Sequence, residues 1–124
     1  IEQGIKYLPF VGKVSGSPSI LEGNAADMVA QAEAFKKVGA YGTDLLGYRY
    51  VDGDPEALSA EFIKKSPIPT VLAGSISSIA KLEKVKAMDP WLFTMGSALF
   101  TANFVPGGNV YDNLAEVCNI LKKM

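Results

Sequence analysis

Two short pairs, Gly74-Ser75 and Gly96-Ser97, are the residues of this sequence best suited to holding an anion. Glycine lets a backbone approach an anion closely and serine adds a hydroxyl donor. Each pair also opens into a segment patterned as a helix, whose amino terminus carries partial positive charge. Two cations stand apart from them. Lys13 offers an amine that can act as a Schiff-base nucleophile or hold a carboxylate or phosphate. Arg49, between Tyr48 and Tyr50, offers a guanidinium that clamps an anion through two parallel hydrogen bonds. Ser15 follows Lys13 two residues on, where a hydroxyl would share its ligand. Of the nearby carboxylates, Asp52 can serve as a general base, whereas Asp54 with Pro55 behind it reads as a helix cap. Asp44, at the start of an apolar run, reads as structural.

Other chemistries are excluded by composition. There is no histidine, so no Ser-His-Asp triad, histidine-ligated zinc or imidazole switch can form. A single cysteine, Cys118, rules out an intrachain disulfide and any multi-thiolate metal site. It reads as a small core hydrophobe. Twelve basic and thirteen acidic residues leave a formal charge of −1, which gives no bulk attraction to nucleic acid or anionic membrane. No apolar run approaches the roughly 20 residues of a membrane span, and no secretory leader pattern is present, so a cytoplasmic location is expected. Neither a metal nor an organic cofactor is called for.

The elements that must position these groups alternate. Four times an apolar, β-branched or aromatic run is followed by a helix-patterned segment, which predicts βα units and a parallel sheet within one domain over residues 1–124. The runs are Ile5 to Val14, Thr43 to Val51, Thr70 to Ala73 and Trp91 to Met95. Asn24 caps the first helix and Gly39 closes it; Asp54 caps the second, which buries Leu58, Phe62 and Ile63. The serines at 77 and 78 cap the third, with Ile79, Leu82 and Val85 inward. The fourth packs Leu114, Val117, Cys118 and Leu121 after a Pro- and Gly-containing turn over residues 103–109.

Four such units are half of an eight-unit (β/α)8 TIM barrel, whose usual length is roughly 250 residues. The stretches Thr70-Val71-Leu72-Ala73-Gly74-Ser75-Ile76 and Leu92-Phe93-Thr94-Met95-Gly96-Ser97-Ala98 resemble the last two units of the phosphate-binding barrels. The likeness is nearest to the histidine-biosynthesis isomerase and cyclase, and looser to N-acylmannosamine-phosphate epimerases. It covers roughly residues 40 to 104. The resemblance implies the carboxyl-terminal half of a barrel, with Gly74, Ser75, Gly96 and Ser97 binding a substrate phosphate. Lys13, Ser15, Tyr48, Arg49 and Tyr50 would then lie near the mouth, Lys13 and Arg49 as the catalytic groups. Those families often carry two consecutive glycines where this chain has Gly74-Ser75, and their paired aspartates have no counterpart here. The implied activity is phosphosugar isomerisation or retro-aldol cleavage. A half barrel leaves strand edges and an apolar sheet face open, so a second copy or a missing amino-terminal half is the expected partner. Two alternatives stand beside this reading. One is a non-catalytic module or trimmed scaffold that binds a phosphometabolite. The other is a small open flavodoxin-like sheet, whose anion would sit in the first turn near Gly12 to Gly16.

Overall fold

Local signals set the helix boundaries. In the computed structural model, which describes residues 5–16 and 19–124, helix α1 (Ala25–Lys37) starts where the Asn24 side chain accepts from the Asp27 N–H at 2.9 Å. It stops at Gly39, whose left-handed φ of 93° turns the chain so that the Ala40 N–H reaches the Phe35 carbonyl. Asp54 caps α2 (Pro55–Lys65) by accepting from Glu56 N–H, with Pro55 in the first turn, where a missing N–H costs nothing. Ser78 caps α3 (Ile79–Met88). A four-residue helix α4 (Ser97–Phe100) follows Gly96, and a capping box between Asn109 and Asp112 starts α5 (Val110–Lys123).

The strands are short. An antiparallel hairpin pairs β1 (Lys13–Ser15) with β2 (Ile20–Glu22), and a separate parallel sheet runs β3 (Thr43–Leu45), β4 (Thr70–Leu72), β5 (Leu92–Phe93). Phe10 extends that sheet by a parallel bridge to Asp44, held by Asp44 N–H donating to Pro9 O and Val11 N–H to Asp44 O. Neighbours in the sheet therefore follow the order of the chain. A doubly wound sheet would reverse at a switch point, and none occurs among the described residues.

Alternation gives the sheet two unlike faces. Val11, Leu45 and Leu72 are fully buried, in one cluster with Met28, Phe62, Leu82 and Val85 from α1, α2 and α3. The opposite face carries the row Phe10, Asp44, Val71, Leu92, in which Phe10 is 51% and Leu92 52% exposed. Burial is thus complete on the helix side and partial on the other.

Several expectations need correction. The first run is not one strand: Gly12, at φ 78°, turns the chain out of the parallel sheet after Val11, so Lys13 and Ser15 stand on a hairpin arm. The second run is extended only to Leu45, because Gly47–Arg49 forms a 3₁₀ turn. That turn packs so closely on α2 that a Cβ at Gly47 would overlap the Ser59 hydroxyl. Tyr48, Arg49 and Tyr50 therefore lie beyond the strand and not on it. Ile79, expected inside, is half exposed at the first position of α3. In α5, Val117 is buried but Leu114, Leu121 and Cys118 face outward. The inward anchor is polar: Asn113 accepts from the Phe104 and Val105 N–H groups and donates to Asn109 and Val105 carbonyls. Turning Asn113 inward rotates the other stripe to the surface.

Candidate functional site

Gly74, Ser75, Gly96 and Ser97 meet at the carboxyl ends of β4 and β5. With Arg49 they line a cleft of about 290 Å³ that also includes Thr94. Backbone geometry explains the glycine at 74, which sits at φ 90°, and a Cβ there would come within 2.9 Å of Arg49 Cγ. Ser75 also takes a left-handed φ, 58°, the conformation that favours glycine. Gly96 is different: a Cβ there would meet nothing within 4 Å.

The cleft is rich in donors. Among the described residues, no protein group accepts from the backbone N–H of Gly74, Ser75, Gly96 or Ser97. Arg49 donates through Nη1 to the Ser19 carbonyl at 3.1 Å, while its Nε is buried without a partner. An unpaired buried donor on a cation is costly unless something accepts from it. A second cation, Lys81, braces the loop from behind: its Nζ donates to Ser75 O at 2.8 Å and stands 4.9 Å over the Tyr48 ring. Asn103 Nδ2 donates to the Ser77 carbonyl and ties in the chain beyond α4. No carboxylate lines the cleft, so its lining favours an anion.

The other expected site residues lie elsewhere. Lys13 is exposed opposite Glu22 and borders a different, smaller cleft of about 200 Å³ with Asp27 and Gln31. Ser15 is exposed at the far end of β1, opposite Ile20. The Tyr48 hydroxyl donates to Glu56 at 3.0 Å. Its pKa is pushed up by burial first, then by the hydrogen bond to Glu56 and that carboxylate's charge. Tyr50 donates to the Gly23 carbonyl at 2.5 Å, and Asp52 accepts from the Gly23 N–H at 2.8 Å. Tyr50 and Asp52 thus pin Gly23 from both sides in the chain leading into α1. Asp54 is the α2 cap. Among the described residues no group of histidine, cysteine or acidic side chains is arranged to hold a metal, and no helix is long and apolar enough to cross a membrane.

Sequence reasoning missed Lys81, Thr94 and the state of Asp44. Lys81 follows the glycine-serine loop at the third position of α3, which was the available signal. Asp44 gave none: one of its carboxylate oxygens, Oδ1, is buried without a partner, and desolvation raises its pKa. The chain matches no protein-family model and no curated protein.

Proposed function

We propose that this chain is a half of a phosphate-binding (β/α)8 barrel that anchors a phosphorylated small molecule in the cleft between Gly74-Ser75 and Gly96-Ser97. The observation that carries the reading is that Gly74, Ser75, Gly96 and Ser97, whose backbone N–H groups have no protein acceptor among the described residues, line one carboxylate-free cleft together with Arg49. Free amides at a strand-to-helix turn suit the oxygens of a phosphate monoester, and Arg49 supplies the countercharge. The half-barrel part draws support from the parallel sheet in chain order and from the apolar face left open beside Phe10 and Leu92. A second copy, or an amino-terminal half, would cover that face. Isomerisation or retro-aldol cleavage is the chemistry proposed for the carbon skeleton held by its phosphate.

A second reading is a binding module without catalysis. It is favoured by one observation, the seating of Lys13 at a separate cleft, which removes the expected nucleophile from the anion. Titration calorimetry with inorganic phosphate and with a ketose phosphate tests the anchor. Saturable binding that Arg49→Ala weakens supports it, and absence of binding to both overturns it.

A further inference from the structure

The loop after β4 has a constrained backbone. Gly74 and Ser75 both lie at positive φ, 90° and 58°, and left-handed geometry at a residue other than glycine persists only where the surrounding structure fixes it. Ile76, the next residue, packs in the core cluster and is 2% exposed, yet it borders the cleft that Arg49 lines. Its N–H finds no protein acceptor among the described residues. A buried amide in that state costs stability unless a ligand or water accepts from it.

Lys81 fixes this loop from outside the cleft. Its Nζ donates to the Ser75 carbonyl at 2.8 Å, while Lys81 itself is absent from the cleft lining. The Ser75 carbonyl and the Ile76 N–H belong to one planar trans peptide, so they point in opposite directions. Drawing the carbonyl toward Lys81 therefore aims the Ile76 N–H away from it, on the side of the cleft that Ile76 borders. The ammonium is held in turn: it stands 4.9 Å over the Tyr48 ring, whose hydroxyl donates to Glu56 at 3.0 Å. Side chains from α2, the 3₁₀ turn and α3 thus all bear on one peptide.

We infer that Lys81 is a positioning residue of the cleft: by holding the Ser75 carbonyl on the far side of the loop, its ammonium turns the Ile76 N–H inward as a further backbone donor to a bound phosphate. The inference rests on the phosphate-cleft reading above. Lys81 and Arg49 have different tasks. Arg49 lines the cleft and meets the anion as its countercharge, whereas Lys81 acts on the anion through the backbone. Without the Lys81 hydrogen bond, Ser75 can leave the left-handed region and the Ser75–Ile76 peptide can rotate, which takes the Ile76 donor out of line.

The test titrates inorganic phosphate into the isotope-labelled chain, follows the Ile76 amide by NMR and measures affinity by calorimetry. In the wild type the Ile76 amide proton should move downfield as phosphate saturates the cleft. Lys81→Met should weaken binding by about 10-fold, near the lower end for one hydrogen bond to a charged group, and abolish the Ile76 response. Lys81→Arg, which keeps a cation able to donate and to stack on Tyr48, should restore most of both, so the loss in Lys81→Met cannot be assigned to misfolding. Lys84→Met removes an equal charge from an exposed position of the same helix and should change affinity by about twofold at most, the scale of a screened surface charge.

Affinity in Lys81→Met within about twofold of Lys84→Met, or an Ile76 response that survives in Lys81→Met, overturns the inference. So does a Lys81→Arg variant that binds no better than Lys81→Met. Phosphate binding that leaves the wild-type Ile76 amide unmoved overturns it as well, with the anchor intact. Absence of phosphate binding in the wild type overturns the cleft reading itself, and the inference falls with it.

Discussion

Gly74 leaves no room for a side chain beside Arg49: a Cβ on residue 74 would stand 2.9 Å from Arg49 Cγ and 3.6 Å from Arg49 Nε. The glycine also holds φ at 90°, where an alanine is strained. Gly74→Ala is therefore expected to destabilise the fold by about 1–3 kcal/mol and to push the guanidinium off the cleft. Urea denaturation and phosphate titration should both register the change.

Arg49 and Lys13 make a contrasting pair. Removing a charge-assisted hydrogen bond costs about 1.5–3 kcal/mol, or roughly 10- to 100-fold in affinity. Arg49→Ala should weaken inorganic phosphate binding by that order, read by calorimetry at fixed ionic strength. Lys13→Ala, at the other cleft, should leave it unchanged.

Asn113 is fully buried and serves four partners at once. Asn113→Ala strands the Phe104 and Val105 N–H groups, and each unsatisfied buried group costs about 1–3 kcal/mol. A loss of several kcal/mol in chemical unfolding is expected. Leucine, close in volume but with no acceptor, should not restore it.

Asp44 sets a pH dependence with a definite sign. Its folded pKa is raised above the ordinary 3.8 by desolvation. The folded state then holds a proton that the unfolded state has released, and stability falls as pH rises from about 3.8 through the folded value. Asp44→Asn removes this dependence. Thermal melts should show the variant ahead of wild type near neutral pH, about pH 7, with the gap closing below the unfolded value. A variant less stable than wild type at neutral pH would contradict this account.

Much of this was legible in residue order, because it depends on neighbours along the chain. Asn24, Asp54 and Ser78 act on amides two or three residues away, and Gly39 on its own φ. The parallel β3–β4–β5 sheet and the gathering of Gly74, Ser75, Gly96 and Ser97 follow from βα alternation. What escaped depends on contacts across space. Gly12 breaks the first run and sends Lys13 away from the cleft, yet an apolar count through Val14 reads straight past it. Asn113 looks like a surface residue until the Phe104–Val105 amides are known to face it. Lys81 belongs to the site only because α3 carries it back over the Ser75 carbonyl.

The sheet's order has a consequence for how the chain reaches this state. Each parallel strand pairs with the one before it in sequence, from Phe10 through β3 and β4 to β5, with a helix closing each step after β3. No strand waits for a distant segment to thread beside it, so each loop closure spans a single unit of the chain. Folding should spread from unit to unit. The hairpin of β1 and β2 is tied to the chain beyond β3 by Val51 N–H donating to the Leu21 carbonyl.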